Sequence, residues 1–443
     1  MKHIPAQDYG IADIIGLDYE GRGIARTNGK TVFIAGALTG EQAGYRICRR
    51  HKDFDEAEAA DIIRPSVHRR KPPCPHFNVC GGCALQHLDD AAQTAVKQRI
   101  AEEQLVRIGK VRPDTVLPPI YGTAWHYRQR GRFAVCLKNG KLNIGFQGRK
   151  SHDVAGISTC PVLPPHLSEA LPVLQEHLQP LAEEWQLRFI EFAVGGNGQT
   201  TLNFGIRAKH APNKTQTARM YKLLEALPSA SAWQIWMQNG RQPPQLCLPE
   251  HAPPPSYRLL EFGIEMPFRP GDFTQVNSDT NALMVARAVR LLDPQPCERI
   301  ADLFCGLGNF TLPLAKSGAD VLAVEGSASL TGRARANARL NGCPSVDFQT
   351  ADLFAADRQT VAAWGKLDKM LLDPPRAGAY AVVRALHAPY LPQQIVYVSC
   401  NPATFARDAA VLVGKGYRFR SFGVMNLFPQ TAHIESIGLF EQD

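Results

Sequence analysis

The clearest alternation of apolar and polar positions lies in the C-terminal part of the chain, from about residue 272 onward. There, apolar runs separated by helical stretches end near five positions, which are Leu303, Val324, Phe348, Leu372 and Val398. A spacing of roughly two dozen residues is typical of successive βα units in a parallel sheet. Two more strand-like segments, 419–427 and 434–440, are expected to form an antiparallel hairpin on the sheet edge. The pattern predicts an open α/β domain.

At the other end of the chain, residues 10–64 alternate short apolar runs with glycine-rich turns. Candidate strands are 11–17, 23–26, 31–34, 44–48 and 62–64. The dipeptide Asn28-Gly29, between the second and third of these strands, is typical of a two-residue hairpin turn. Five short strands within about fifty-five residues favour a small barrel of the OB type over an irregular β cap.

Two proline-containing stretches divide the chain. The basic stretch RPSVHRRK (64–71) and the run Pro253-Pro254-Pro255 are typical of linkers. Because 443 residues are too many for one core, we expect three domains, at 1–66, 67–262 and 263–443. The central one is expected to be α+β, with a helix over 91–108. Its later part, 125–262, mixes strand-like and helical runs without a decodable order.

Composition narrows the class of protein. The hydrophobic content of 44% and charged content of 20% are ordinary for a soluble globular protein. Lys and Arg exceed Asp and Glu by 49 − 41 = 8, which is compatible with a polyanionic partner without proving one. No apolar run is long enough to cross a bilayer, and MKHIPAQDYG lacks the apolar core of a signal peptide. We therefore expect a cytoplasmic protein with no membrane association.

The segment DLFCGLGNF (302–310) predicts a ligand pocket. A strand ends there in a turn where Gly306 and Gly308 allow close approach of a ligand. A dinucleotide-binding fingerprint would have a third glycine at Thr311, which disfavours NAD. Each of the next three strands ends in an acidic residue, and these are Glu325, Asp352 and Asp373. One such acid alone would favour a helix cap, but acids at consecutive strand ends converge where open α/β sheets bind ligands.

S-adenosylmethionine suits this pocket better than a dinucleotide, since it has ribose hydroxyls and an adenine but no pyrophosphate. Its sulfonium cation is also compatible with nearby acids. The sequence Asp373-Pro374-Pro375-Arg376 supports this choice, because two prolines stiffen the loop that carries the carboxylate. The pattern predicts a class I, Rossmann-like methyltransferase site.

Cys400, in VSCNP (398–402), lies where the fifth strand ends. Asn401 is expected to cap the next helix, with Pro402 at its first position and Gly416 as its stop. A thiol at a helix N-terminus experiences positive potential, so we expect a lowered pKa and a nucleophilic thiolate. Six other cysteines are expected to be inert core residues: Cys48, Cys136, Cys247, Cys297, Cys305 and Cys343.

A nucleophile is needed for methyl transfer to C5 of a uracil, because the free ring is a poor carbon nucleophile. Addition of a thiolate to C6 makes an enolate whose C5 attacks the methyl group, and a base then removes the C5 proton. In FPQTAHIE (428–435) the candidate base is Glu435, with His433 as its rival by residue type. Spacing alone leaves both open.

The segment CPHFNVCGGC (74–83) has the spacing C-x5-C-x2-C, which favours a metal or cluster site. Cys160, followed by Pro161, is the best candidate for a fourth ligand. An iron–sulfur cluster is favoured modestly over zinc, for which His76 and His87 are the alternative ligands.

Four motifs, DLFCGLGNFTLPLA, LLDPPRAG, VSCNPATFARD and FPQTAHIE, together resemble the RNA uracil-C5 methyltransferase family over nearly all of residues 260–443. The resemblance implies Cys400 as nucleophile and Glu435 as base. It also implies an S-adenosylmethionine site lined by Gln275, Phe304, Asn309, Glu325, Asp352 and Asp373. It further implies a structural [4Fe–4S] cluster on Cys74, Cys80, Cys83 and Cys160.

The N-terminal segment resembles a TRAM domain, an OB-like RNA-binding module. Candidate phosphate contacts there are Arg22, Arg26, Arg46, Arg49 and Arg50. In HYRQRGRF (126–133), arginines interleaved with aromatics are expected to bind RNA, with the aromatics stacking on splayed bases.

Within the family, a TRAM domain together with a cluster resembles members that methylate one uracil of 23S ribosomal RNA, here expected to be uracil(1939). Another 23S uracil or the transfer-RNA T-loop remains an alternative target. Outside this reaction, the alternatives are a non-catalytic RNA-binding protein and an iron–sulfur oxidoreductase using a dinucleotide. We expect a monomer with no obligate protein partner.

Overall fold

The computed structural model describes residues 9–149, 151, 153–208 and 212–442. Within them the chain forms a six-stranded, a seven-stranded and an eight-stranded sheet and one two-stranded ribbon. None of the helices in these ranges is both long and apolar enough to span a bilayer. The first eight residues, part of the expected N-terminal domain, lie outside the described ranges.

The N-terminal sheet has the strand order β1-β5-β6-β4-β3-β2. Its strands are β1 (Tyr9–Asp13), β2 (Gly16–Leu17), β3 (Gly23–Thr27), β4 (Lys30–Ala35), β5 (Gln42–Arg50) and β6 (Phe54–Arg64). The two edge strands, β1 and β2, are separated in the chain by only two residues. The sheet therefore curls, and it encloses a core that includes Ile14, Val32 and Ile34. Asn28 and Gly29 have φ values of 52° and 77°, which confirms the hairpin turn.

Strand β6 is longer than expected, since the candidate strand 62–64 is only its end. Its sequence FDEAEAADIIR is poor in β-branched residues at the start, so propensity does not indicate a strand there. Pairing with the basic strand β5 stabilises it instead, because Arg46 faces Glu58 and Arg49 faces Glu56 across the ladder. These acids offset part of the basic face expected to bind phosphate.

The central region begins with α1 (Asp90–Gln104), whose N-cap Asp89 accepts a hydrogen bond from the Ala92 backbone at 2.8 Å. The helix confirms the expected one, and its last turn, Leu105–Gly109, is π-helical. A two-residue strand, β7 (Thr115–Val116), follows.

The seven-stranded sheet has the order β10-β9-β8-β11-β12-β13-β14. Its elements are β8 (Arg130–Lys138), β9 (Lys141–Gln147), β10 (Val154–Gly156), α2 (Pro165–Leu178), β11 (Phe189–Val194), β12 (Gln199–Ile206), α3 (Lys214–Ala226), β13 (Ala232–Asn239) and β14 (Gln245–Leu248). Strand β12 is buried along nearly its whole length although it contains Thr200, Thr201 and Asn203. Buried polar residues obscure the period-two pattern, which is why the order could not be decoded from sequence.

The C-terminal region begins with a ribbon of β15 (Ser256–Leu259) and β16 (Ile264–Pro267). The helices that follow are α4 (Ser278–Leu292), α5 (Thr311–Lys316), α6 (Ala328–Leu340), α7 (Arg358–Trp364), α8 (Tyr380–Ala385) and α9 (Pro402–Gly414). The strands are β17 (Arg299–Leu303), β18 (Asp320–Glu325), β19 (Asp347–Thr350), β20 (Lys369–Leu372), β21 (Gln394–Ser399), β22 (Tyr417–Met425) and β23 (Glu435–Gln442).

Strands β17 to β21 run parallel to one another, as expected. They belong to an eight-stranded sheet with the order β19-β18-β17-β20-β21-β23-β22-β7. All five predicted strand ends are confirmed to within two residues. The hairpin of β22 and β23 is also confirmed, but β22 is not the edge, because β7 pairs with it in parallel. The sequence could not place β7, since its partner lies about three hundred residues away.

Helix α1 packs on the C-terminal sheet rather than on the central one. Ile100, Ala101 and Leu105 belong to the same buried cluster as residues of β17 and β20. As a result, the polar face of α1 lies against the loop between β22 and β23, residues 426–434, which precedes Glu435.

Candidate active site

A cavity of about 520 Å³ lies at the carboxyl ends of strands β17 to β21. All eight side chains expected to bind the methyl donor or to act in catalysis line it: Gln275, Phe304, Asn309, Glu325, Asp352, Asp373, Cys400 and Glu435. The size is in the range of small-molecule and cofactor sites. The fold thus brings together residues that are up to 160 positions apart in the chain.

The glycine-rich turn after β17 forms part of the cavity wall. Phe304, Gly306 and Gly308 have φ values of 66°, 56° and 95°, so the backbone turns sharply through left-handed conformations. No protein atom lies within 4 Å of the position that a Cβ on Gly306 would occupy. The turn therefore presents open space for a ligand.

Glu325 is fixed by two backbone donors. Its Oε2 accepts from the Gly306 N–H at 3.1 Å and its Oε1 from the Ser327 N–H at 2.9 Å. Each carboxylate oxygen retains a lone pair for a hydroxyl of a bound ligand. Asp352 also has a local role, because its Oδ1 accepts from the Phe354 N–H at 2.9 Å and caps the turn Leu353–Ala355.

Asn309 is held by two residues that the sequence analysis did not identify. Its Oδ1 accepts from Tyr257 Oη and Asn281 Nδ2, both at 3.0 Å, and its Nδ2 donates to Asn281 Oδ1 at 2.9 Å. With both ends of the amide engaged, Asn309 forms a rigid part of the wall.

Cys400 lies at the end of β21, half-buried and facing the cavity. Asn401 caps α9 by accepting from the Ala403 N–H at 3.1 Å, and Pro402 is the first helical residue, as expected. Asn401 Nδ2 and Thr404 Oγ1 donate to the Arg376 carbonyl at 3.1 and 3.2 Å. These bonds tie the loop after Asp373 to the segment that carries the thiol.

The expected low pKa of Cys400 was wrong. Burial, followed by the nearby charges of Glu435 and Asp373, raises the pKa of the Cys400 thiol to about 12. Arg376 and the local backbone act in the opposite direction but do not outweigh them. The field of one helix N-terminus lowers the pKa of the thiol less than desolvation and two facing carboxyl groups raise it.

The acids around the cavity bind protons more tightly than usual. Burial raises the pKa of Asp373 to about 7. Burial, followed by the charge of Asp373, raises the pKa of Glu435 well above its ordinary range. Asp302, fully buried below the glycine turn and bonded by Thr311 Oγ1, also has its pKa raised to about 7, mainly by burial. Such a cluster favours a cationic ligand, which would offset the repulsion.

His433 has a different environment. Arg376 Nη2, which can only donate, lies 3.2 Å from its Nδ1 and 3.5 Å from its Nε2, so Arg376 engages the lone pair of the imidazole. Partial burial and the charge of Arg376 lower the pKa of His433 to about 4.

The four cysteines expected to hold a cluster, Cys74, Cys80, Cys83 and Cys160, line one small second cavity. Burial raises the pKa of Cys83 to about 11 and that of Cys160 to about 12. In the described part of the chain, no three His, Cys, Asp or Glu side chains are arranged closely enough to hold a metal ion.

The two alternative histidine ligands fit this second cavity less well. His76 lines it, but its Nε2 lies 3.2 Å from the Ser158 N–H and 3.3 Å from Ser158 Oγ. His87 is buried among other residues and is not part of the lining.

Two further sequence expectations need correction. In HYRQRGRF, Tyr127 and Phe133 are 5% and 0% exposed, and Arg130 Nη2 pairs with Glu191 Oε1 at 3.0 Å, so these side chains stabilise the domain and cannot stack on bases. Cys48 and Cys297 are exposed and not core residues.

A family model described as tRNA (Uracil-5-)-methyltransferase matches residues 263–443. The chain is 54% identical to the 23S rRNA (uracil(1939)-C(5))-methyltransferase RlmD of Neisseria lactamica, covering 97% of this chain and 95% of that one. Identity to the RlmD protein of Aromatoleum aromaticum is 49%, covering 98% of this chain and 100% of that one.

A solved structure shares the fold. The tRNA (uracil-54, C5)-methyltransferase of Pyrococcus abyssi, in complex with S-adenosyl-L-homocysteine, superposes with a TM-score of 0.72 at 23% identity, covering 97% of this chain and 100% of that one. With this α/β fold, and with relatives about half identical over nearly their whole length, the chain belongs to the family of S-adenosylmethionine-dependent RNA uracil-C5 methyltransferases.

Proposed function

We propose that this protein transfers the methyl group of S-adenosylmethionine to C5 of one uracil in 23S ribosomal RNA, the uracil(1939) named for its relatives. One observation carries the proposal. Cys400 and Glu435 face the same cavity as the six residues expected to bind the donor. A nucleophile, a base and a donor site within one cavity are what uracil-C5 methylation requires.

The donor occupies the part of the cavity over the glycine turn. The outward lone pairs of the Glu325 carboxylate bind ribose hydroxyls, and Phe304 and Phe354, whose ring centroids are 5.7 Å apart, provide apolar surface for the adenine. A sulfonium held near Asp373 would offset the charges of Glu435 and Asp373, which raise the pKa of Cys400, and so would favour the thiolate.

The reaction begins when the Cys400 sulfur adds to C6 of the uracil. The thiol proton passes to the facing Asp373 carboxylate, which leaves Glu435 free for the later step. The S–C6 bond forms, and the electron pair of the C5=C6 double bond moves onto the O4 side of the ring as an enolate. C5 then attacks the methyl carbon. The bond from that carbon to sulfur breaks, giving S-adenosylhomocysteine.

Elimination completes the cycle. Glu435 accepts the C5 proton, the C–H electron pair re-forms the C5=C6 double bond, and the C6–S bond breaks to return Cys400 as a thiolate. Glu435 is favoured over His433 because Arg376 Nη2 lies within hydrogen-bonding distance of both ring nitrogens of His433 and engages its lone pair, whereas Glu435 is buried beside Cys400 and Asp373.

The N-terminal sheet, within the expected domain 1–66, is proposed to be a TRAM-type RNA-binding barrel. Arg26, Arg46 and Arg49 are exposed and available to phosphate. Arg22 is not, because Asp18 Oδ2 pairs with it at 2.7 Å and Glu56 Oε1 at 3.3 Å. We propose a monomer acting on RNA in the cytoplasm.

The central region, expected over 67–262, is proposed to carry a [4Fe–4S] cluster on Cys74, Cys80, Cys83 and Cys160. Support comes from the chemistry of the donor set and not from a preformed ligand arrangement, since four thiols line one cavity and thiolate sulfur is the ligand that such clusters use. The cluster would join the segment 74–83 to Cys160. The methyl transfer moves no net electrons, so a structural role suffices.

The test is incubation of the protein with radiolabelled S-adenosylmethionine and either unmodified 23S ribosomal RNA or transfer RNA, followed by mapping of the product. We expect one 5-methyluridine in 23S RNA and none in transfer RNA. Label in the T-loop would overturn the substrate assignment. Tight binding of 23S RNA without any transfer would favour the non-catalytic RNA-binding alternative.

A further inference from the structure

Arg376 is the one arginine or lysine in the lining of the active-site cavity, among the residues that the structure describes. The other ionisable side chains of this lining are four carboxyl groups, two thiols, one tyrosine and His433. An arginine side chain is effectively always protonated in proteins. A single permanent cation in a cavity rich in carboxyl groups calls for an explanation.

The backbone of Arg376 is fixed to α9, the helix that begins just after Cys400. The Arg376 carbonyl accepts from Asn401 Nδ2 at 3.1 Å and from Thr404 Oγ1 at 3.2 Å. Asn401 is the N-cap of α9, and Thr404 lies in its first turn. Because Asn401 directly follows Cys400 in the chain, these two bonds set the position of Arg376 relative to the thiol.

The remainder of this loop, as far as α8, is held by the same helix. The Ala377 carbonyl accepts from Arg407 Nη2 at 2.9 Å, and the Ala379 N–H donates to Asp408 Oδ2 at 2.8 Å. Gly378 lies between them with a φ of 80°, and a Cβ on it would lie 2.6 Å from Asp408 Oδ2. The loop therefore packs on α9 too closely for a side chain at position 378, and it cannot shift without breaking these bonds.

The guanidinium group of Arg376 is oriented by His433. Arg376 Nη2 lies 3.2 Å from His433 Nδ1 and 3.5 Å from Nε2. His433 precedes Glu435 by two residues, so this contact joins the cation to the segment that carries the proposed base. In the described part of the chain no other side chain bonds this guanidinium group, and its Nη1 and Nε can donate to a ligand.

The first step of the proposed reaction creates negative charge in this cavity. When the S–C6 bond forms, O4 of the uracil becomes an enolate oxygen. The neighbouring carboxyl groups disfavour additional negative charge, so a cationic donor at O4 offsets their effect. A donor that gave up its proton would convert the enolate into a neutral enol, whose C5 is a weaker nucleophile. Arginine retains its protons and therefore stabilises the enolate without quenching it.

We propose that Arg376 is a catalytic residue that donates hydrogen bonds to O4 of the uracil and stabilises the enolate formed when Cys400 adds to C6. The inference rests on the proposed function, in which Cys400 is the nucleophile. Arg376 is an exposed residue, and RNA lying over the cavity would remove water from its guanidinium group and strengthen this interaction. Its N–H groups hold the negative charge until C5 attacks the methyl carbon.

The test measures the covalent step separately from RNA binding. RNA containing 5-fluorouracil is mixed with S-adenosylmethionine and a saturating excess of protein, and the SDS-stable adduct is followed in a single turnover. Loss of one donor to a developing oxyanion typically slows a reaction by about 10²–10³. In Arg376→Gln, adduct formation should therefore slow about a hundredfold or more. The affinity for RNA and its salt dependence should stay close to the native values.

Two further variants control for structure. Arg376→Met retains most of the aliphatic stem and should behave like Arg376→Gln, which covers the case in which the glutamine variant fails to fold. Arg384→Gln is the matched control, because Arg384 is exposed on α8 and does not line the cavity. It should form the adduct at the native rate. Calorimetric titration with S-adenosylmethionine checks that each variant is folded.

A contact to an RNA phosphate is the competing role for an exposed arginine. Loss of one such contact weakens RNA binding and lowers the slope of log Kd against log salt by about one. A saturating excess of protein would then restore the native rate of adduct formation. This combination of results in Arg376→Gln would overturn the role in stabilising the enolate.

Cys400→Ala distinguishes failure of this inference from failure of the proposed function. If Cys400→Ala forms no adduct while Arg376→Gln forms it at the native rate, only the inference about Arg376 falls. If Cys400→Ala methylates ordinary RNA at the native rate, no thiol addition and no enolate are needed, and both proposals fall together.

Discussion

Gly306 donates its backbone N–H to Glu325 Oε2 at 3.1 Å, which joins the turn after the first strand of the parallel sheet to the end of the second. The bond explains why an acid follows one strand and a glycine the other. The glycine leaves room for the ligand, and its N–H orients the carboxylate that faces the same space.

Replacing Glu325 with alanine should weaken binding of S-adenosylmethionine and leave the fold intact. Loss of hydrogen bonds to a charged group costs about 1.5–3 kcal/mol, which is roughly tenfold or more in Kd. Isothermal titration calorimetry measures this directly. The matched control is Asp320→Asn, at the exposed opposite end of the same strand, which should bind the donor normally. Equal affinity in both variants would contradict the placement of the ribose.

Replacing Cys400 with alanine should abolish methyl transfer while leaving donor affinity unchanged, because the uracil ring then has no activating nucleophile. With RNA containing 5-fluorouracil, the native protein should form a stable adduct, since fluorine at C5 cannot be removed as a proton. Mass spectrometry should locate the adduct at Cys400. Cys297→Ser, at an exposed thiol far along the chain, is the control. Turnover in Cys400→Ala at the native rate would exclude the covalent route.

Replacing Asp302 with asparagine should stabilise the donor-free protein at high pH. Burial raises the pKa of Asp302 from its ordinary 3.8 to about 7. The folded carboxyl therefore binds its proton more tightly than the unfolded one, and the native protein loses stability as the pH rises between these values. The introduced side-chain amide is expected to keep the bond from Thr311 without this dependence.

The Asp302→Asn variant should therefore gain on the order of 2–4 kcal/mol over the native protein at pH 8 and much less at pH 5. Urea denaturation at both pH values measures the difference in the free energy of unfolding. A difference that does not change with pH would show that Asp302 is ionised in the folded protein.

Replacing Cys83 with serine should lower the iron and sulfide bound per chain when the protein is purified without oxygen. The thiol lines the second cavity with Cys74, Cys80 and Cys160, and a cluster missing one thiolate ligand binds less firmly. Iron and sulfide assays measure the loss, with Cys297→Ser as the control. Zinc in place of iron in the native protein would contradict the assignment.

The elements of the catalytic domain could be predicted from the sequence pattern, and its cavity residues from that pattern together with the family motifs. Strands buried on both faces appear as continuous apolar runs, and the residue that ends each run faces the ligand edge of a parallel sheet. The positions of Glu325, Asp352, Asp373 and Cys400 therefore follow from local pattern and chain order, whereas Gln275, Phe304 and Asn309 were implied by the family resemblance alone. The cap at Asn401 follows in the same way, because capping depends on neighbouring residues.

Only the tertiary structure decided how these side chains behave. The pKa of Cys400 depends on burial and on Glu435 and Asp373, which approach it from other strands, so the local helix field misled the prediction. Lys97 shows no distinguishing pattern in its helix, and its hydrogen bond to Asn426 Oδ1 at 2.8 Å joins residues more than three hundred positions apart. Desolvation and charge act through space, and the fold alone brings those groups together.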